Sequence, residues 1–300
     1  MKNLFMLSII FTLVGFYSCQ TRFNDEPSSE DYSSGESEVE ISIVTDPVSR
    51  STEYSTPNEN IVENLDVLLF DSEGKFLCWR TTFKINGKLR TTLPIGKDYD
   101  AYFLANCRSF IEKMLPDEVT EGQYIGKADW EVFRKELVDE NPKRLLQNTP
   151  VFTCLPMWGM LEKQEVKDGV INYWPLLSLI RSVASVDVYV TTDIAEFTLK
   201  DATLYNVPDK GFLGNSSNNI VDDKVQVAYS PVDMETALIL ESSDYNISDR
   251  SIANKLYLYD NDTQTETENR RHTRLVVGAE YKGAKYYYPV SYTHLRAHET

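Results

Sequence analysis

The sequence predicts an all-β protein whose antiparallel strands form two sandwiches. Three observations carry that expectation. Eighteen Tyr and thirteen Phe in 300 residues favour strands, because aromatic side chains pack well on a pleated surface. Several runs alternate apolar and polar residues with period two, as a strand with one buried face does. Ile61 to Phe70 is apolar on both faces, with Leu65, Val67 and Leu69 on one and Leu68 and Phe70 on the other. That pattern marks a strand inside a sandwich rather than on its rim. The apolar fraction of 42% is enough for real cores, and the length allows about two domains.

The first eighteen residues read as a signal peptide. Lys2 supplies a positive start, and Leu4 to Phe16 is an apolar run too short and too early for an ordinary membrane span. The run ends in Phe16-Tyr17-Ser18-Cys19. This resembles a bacterial lipobox, a small residue then Cys, although Phe16 and Tyr17 depart from the usual small or aliphatic residues. It places cleavage before Cys19 and acylation on it; the bland alternative is an ordinary secretory signal cut nearby. Residues 19–37 are polar, acidic and Ser-rich, a flexible tether that buries no core.

Val39, Ile41 and Ile43 alternate with Glu40 and Ser42, so the first strand has one apolar face and looks peripheral. Thr45 to Asn60 follows, a loop rich in Ser, Thr, Pro and Asn with one basic residue, Arg50. A polar loop of that length is open to proteolysis, and a trypsin-like enzyme has one bond to cut, Arg50–Ser51. After Phe70, Gly74 marks a hairpin turn. Phe76–Phe83 and Lys88–Leu93 read as strands around the Asn86-Gly87 turn, and Tyr99–Ala105 as another. Ser109 with Glu112 looks like a capping box for a helix stopped by Pro116, and Asp129 caps a second helix over 128–138.

Phe152–Val166 reads as a strand interrupted at Pro156 and Gly159, followed by Gly169–Tyr173. Leu176–Val190 runs into the alternation Val186, Val188, Val190. The domain boundary falls near Val183, giving domains over 38–183 and 184–290. The second half is β again: 197–207, 225–229, 256–259, 275–281 and 285–290, with Asp260–Arg271 a polar hairpin loop. Residues 291–300, SYTHLRAHET, break the style of the chain and read as a non-native tail. The second sandwich is then truncated, with an uncovered core face.

Lipobox-like Cys19, Arg50, Val62–Asp71 with Gly74, Tyr102–Asn106 (YFLAN), Leu155–Gly159 (LPMWG), Leu179–Ala184 and Leu204–Pro208 with Gly211 follow one another in order. Together they resemble the fimbrillins of Bacteroidetes, the FimA/Mfa1-like major fimbrial subunits. The resemblance implies two transthyretin-like sandwiches and export as an outer-membrane lipoprotein. It also implies removal of the first strand by an Arg-specific protease, and strand exchange with identical or related subunits into a cell-surface fimbria. Physics makes such a switch plausible. Removing Val39, Ile41 and Ile43 uncovers side chains worth ~1.5–3 kcal/mol each and ladder hydrogen bonds of about 1 kcal/mol each. The loss is on the order of 10 kcal/mol, and an open edge recruits another strand.

Other function classes find little support. A formal charge of −16 argues against nucleic-acid binding, which needs a basic face. The sequence carries no G-x-S-x-G, H-E-x-x-H, P-loop or C-x-x-C, so no catalytic residue, cofactor or metal is expected. His272 lies beside Arg270 and Arg271 in a polar loop, and Asp260 and Asp262 read as a hydrated turn. Cys78, Cys107 and Cys154 are odd in number and flank apolar residues, so buried free thiols are the default. The second hypothesis is a lipid-anchored glycan- or ligand-binding protein on a similar sandwich. It calls for clustered exposed aromatics, whereas Trp79, Trp130, Trp158 and Trp174 are spread along the chain and look like core.

Overall fold

The computed structural model describes residues 35–45, 60–140, 154–190, 194–208, 210–215, 220–221, 224–225, 238–241, 251–259 and 273–291. The chain opens with β1 (Glu36–Ile41), β2 (Ile43–Thr45), β3 (Leu65–Phe70), β4 (Phe76–Thr81), β5 (Phe83–Ile85), β6 (Lys88–Pro94) and β7 (Gly96–Ala105). Three short helices follow, α1 (Arg108–Met114), α2 (Glu118–Tyr124) and α3 (Trp130–Glu136). Then come β8 (Val138–Asp139), β9 (Met157–Val166), β10 (Asn172–Tyr173), β11 (Leu177–Arg181), β12 (Val183–Tyr189) and β13 (Phe197–Val207). The described strands end with β14 (Gly211–Phe212), β15 (Ile220–Val221), β16 (Lys224–Val225), β17 (Leu238–Glu241), β18 (Ser251–Tyr259), β19 (Arg274–Tyr281) and β20 (Ala284–Ser291).

The fold class is β, as the alternating runs predict. A four-stranded sheet of order β10-β1-β6-β5 faces a six-stranded sheet of order β2-β11-β9-β7-β3-β4. Between them lies a core of Val39, Ile41, Leu93, Val67, Phe103, Met157 and Leu177, among others. All six residues of β3 are buried. Leu65, Val67 and Leu69 enter that core, while Leu68 and Phe70 enter a second one on the opposite face of the same sheet. The second core holds Ile111 of α1 and Trp130 and Phe133 of α3, together with Val183, Leu213, Tyr257 and Tyr259 from the second half. Trp130, Trp158 and Trp174 are buried, and Trp79 packs half-buried against the helix-side core.

In the second half, β12 pairs with β18, and β17, β13, β19 and β20 form a four-stranded sheet. The two share a core of Val186, Leu199, Leu204, Leu256 and Leu275. Among the described residues four strands face two. Tyr286 and Tyr288 pair with the core-facing Ala279 and Val277, yet remain 44% and 53% exposed.

Several expectations need correction. The first strand is not peripheral: β1 lies between β10 and β6. Its pairing with β10 is parallel, as is that of β2 with β11, so the sheets are not purely antiparallel. The first helix begins two residues earlier than the capping-box reading, with Cys107 at its N-cap and no side-chain cap bond. The helix α2 was missed because none of its residues is buried and it has no apolar stripe to read. Asp129 does cap α3, accepting from the Val132 amide. Gly159 does not interrupt β9. It lies within that strand, where an added Cβ would overlap the Ser178 carbonyl oxygen on β11. The segment after Gly169 narrows to Asn172–Tyr173. The strands before and after Asp260–Arg271, β18 and β19, belong to different sheets. The segment itself lies outside the described residues, as do His272 and residues 292–300.

Candidate functional site

The site is the run Glu36–Thr45, which belongs to both sheets of the first sandwich. Its alternation places Val39 and Ile41 inward, 0% and 1% exposed, with Ile43 half-buried against the same core. β1 pairs antiparallel with β6 from Glu36↔Pro94 to Ile41↔Leu89, and parallel with β10 at Val39 and Glu40. At Ser42 the chain crosses over: the Leu177 amide donates to the Ser42 carbonyl at 2.8 Å, and β2 continues along β11. The Trp174 amide donates to Glu40 O at 3.1 Å. Ser37 Oγ donates to Val170 O at 2.9 Å and Asn172 Nδ2 to Glu38 O at 3.3 Å. The strand is therefore bonded along both edges.

Its outward residues are acidic, and their partners are basic. Arg90 of β6 holds Glu38 through Nη1 at 2.9 Å and Glu40 through Nη2 at 2.8 Å. Arg80 Nη2 reaches Glu36 at 2.7 Å, and Lys88 Nζ lies 3.9 Å from Glu40. The hydrogen bonds that Arg90 donates to Glu38 and Glu40 raise its pKa above the ordinary value. Reading the sequence one segment at a time missed this clasp. The signal was there in two period-two strings, Glu36-x-Glu38-x-Glu40 and Lys88-x-Arg90, which interact only once the strands are in register.

Beside the Ser42 crossover is a cavity of about 500 Å³, lined by Ile41, Ile43, Asn64, Leu65, Lys88 and Arg108, among others. Asn64 Oδ1 and Arg108 Nη2 are buried without a hydrogen-bond partner. Arg108 Nε donates to Asp66 Oδ1 at 3.1 Å, and Trp79 Nε1 to the same oxygen at 3.2 Å.

Of the residues singled out from the sequence, the structure brings Val39, Ile41 and Ile43 together in one core. Cys19, Arg50 and Ser51 lie outside the described residues, as do Asp260 and Asp262. Among the described residues Cys78, Cys107 and Cys154 are not joined to one another by a disulfide. Cys78 and Cys107 are buried, and burial pushes the Cys78 thiol up to about 12; Cys154 is only half-buried. Among the described residues no cluster of His, Cys, Asp or Glu is arranged to hold a metal, and no helix is long and apolar enough to cross a membrane.

Residues 37–181 match the family described as Major fimbrial subunit protein (FimA). This match supports placing residues 37–181 in the fimbrillin family. The fimbrillin match runs from β1 to the end of β11 and so spans both sheets that hold the first strand. Among solved structures, the tip fimbrial protein Mfa3 of Porphyromonas gingivalis, with a C-terminal truncation, superposes with a TM-score of 0.52 at 17% identity, over 85% of this chain and 82% of that one. That likeness concerns the fold. A fimbrilin (FimA) of Porphyromonas gingivalis W83 gives a TM-score of 0.43 at 13% identity, over 84% and 80% of the two chains. A putative cell adhesion protein of Bacteroides eggerthii gives 0.44 at 18%, over 85% and 79%. No curated protein matches the chain.

Proposed function

We propose that this fimbrillin is a structural, non-enzymatic subunit of a cell-surface fimbria, with its first strand as the assembly switch. In this reading the precursor is exported, acylated at Cys19 and anchored in the outer membrane. An Arg-specific protease then cuts Arg50–Ser51, the run before the cut leaves, and a strand from an identical or related subunit takes its place. Two domains, 38–183 and 184–290, make up the subunit, and the fimbria mediates adhesion.

The observation that carries this reading is the position of β1. It plugs a core with Val39 and Ile41 while bonding to strands on both sides. Its loss would open a slot rather than a single edge, and unpaired strand edges capture other strands. A strand supplied head to tail by the next subunit builds a filament instead of a closed ring. The first test is Arg50→Ala in the full-length chain. The wild type should form ladders on unboiled gels, whereas the variant should keep its N-terminus and stay monomeric. Equal polymerisation of both would refute the switch. Acylation is checked separately, by a fatty-acid label that wild type takes up and Cys19→Ser does not.

A further inference from the structure

We infer that the slot occupied by β1 is charge-selective. It accepts from another subunit a strand whose inward residues are apolar and whose outward residues are acidic at alternate positions, and it rejects one with basic residues there. This rests on the strand-displacement reading above, and it specifies the partner that such displacement would admit.

The register defines the requirement. Ser37, Val39 and Ile41 lie opposite Leu93, Thr91 and Leu89 on the inward face, where Leu93 and Thr91 are buried. A replacement must fit small or β-branched side chains at these positions. Glu36, Glu38 and Glu40 lie on the other face, met by Arg80, Arg90 and Lys88. Arg90 is central. It lies directly across from Glu40 in the antiparallel ladder and reaches diagonally to Glu38, the two geometries in which cross-strand pairs interact.

No acid on β5 or β6 offers Lys88 and Arg90 an alternative, whereas Arg80 of β4 also feels Glu121 of α2. β5 is Phe-Lys-Ile and β6 is Lys-Leu-Arg-Thr-Thr-Leu-Pro. Without β1, Arg80, Lys88 and Arg90 would line the slot as a positive rail on a chain whose formal charge is −16. Incoming carboxylates would restore the pairs. Incoming lysines would stand opposite like charges, and it is repulsion of that kind that excludes wrong partners at an interface.

The experiment uses the full chain cut after Arg50 by an Arg-specific protease, challenged with two fluorescent peptides. One is residues 36–45 of this chain. The other carries Glu36→Lys, Glu38→Lys and Glu40→Lys. The acidic peptide should be taken up about tenfold better, and the preference should shrink as salt rises from ~0.1 M to ~1 M, where screening shortens from about 10 Å to about 3 Å. Cleaved Lys88→Glu/Arg90→Glu protein should invert the preference. If both peptides enter the wild-type protein equally at low salt, charge selection is wrong while displacement stands. If neither enters, the displacement reading fails and this inference with it. The peptide comparison in wild-type protein decides the matter even where the double variant is unstable.

Discussion

Asn106 shows how much one residue holds in place. It closes the YFLAN motif with φ at 61°, a left-handed conformation that Asn tolerates better than most residues. From there its Nδ2 donates to Ile61 O and Leu155 O, both at 2.8 Å, while its Oδ1 accepts from the Glu63 amide at 2.9 Å. One side chain thus ties the approach to β3 to the approach to β9. Asn106→Ala should lower the unfolding free energy by about 3 kcal/mol, combining hydrogen bonds worth about 1 kcal/mol each with the left-handed backbone cost. Asn106→Gly should recover only the backbone share, and urea titration of the two variants separates them. Asp66 is a different case. It is fully buried, its Oδ2 has no partner, and desolvation raises its pKa above the ordinary 3.8 despite Arg108 beside it. The folded state therefore holds this proton more tightly than the unfolded chain. The resulting stabilisation is complete below pH 3.8 and is lost as pH rises through the raised value. Denaturation midpoints collected upward from pH 4 should show that decline in wild type and a flatter profile in Asp66→Asn. An unchanged slope in the variant would assign the decline to other groups.

At the scale of elements, the helices test how well local signals predict local structure. Asp129 and Asp117 are both N-caps whose side chains accept from the third residue onward, Val132 and Thr120. Ser109, which with Glu112 looks like a capping box, sits inside α1 behind the true N-cap Cys107. Asp129→Ala should therefore cost about 1 kcal/mol, whereas Ser109→Ala should leave stability within about 0.5 kcal/mol of wild type. Thermal denaturation of both variants makes the comparison, and a larger loss in Ser109→Ala would restore the capping box. The reason α1 starts early is tertiary. Cys107 and Ile111 are fully buried in the helix-side core, and the Ile111 amide donates to the Cys107 carbonyl at 3.3 Å, so packing sets the first turn where the sequence offers a better cap two residues later.

Across the whole molecule, the helix-side core does more than cover a sheet. It contains Leu104, Trp130 and Phe133 from the first half and Val183, Leu213, Tyr257 and Tyr259 from the second. Polar contacts lock the two together: Tyr259 Oη donates to Asp139 Oδ2 at 2.9 Å, and Trp130 Nε1 to Asn215 O at 2.8 Å. Gly211 and Gly214 leave room for the rings, since an added Cβ at either would overlap Tyr259 or Trp130. Halves that share a core should unfold together. Wild type should give one calorimetric transition. Tyr259→Ala, which opens a cavity costing about 3–5 kcal/mol, should split it into two. Two transitions in wild type would show that the shared core does not couple the halves.

The strands were legible because burial writes its period into a chain. β3 shows its two buried faces in the order of its residues, and the segment expected as a strand over 197–207 is β13. The expectations at Arg50 and Cys19 rest on composition and spacing alone, and both residues lie outside the described residues. Which strands become neighbours could not be read in this way. β1 looked like a rim strand because a single apolar face suits a rim. It is interior to its sheet, and its outward face is covered by Arg80, Lys88 and Arg90 rather than by water alone. A charged residue reads as solvent-facing until its counter-charge arrives from another strand, and here that strand is some fifty residues away, as Arg90 is from Glu40. Periodicity is a local property of the chain. Register and charge pairing arise only when distant segments meet.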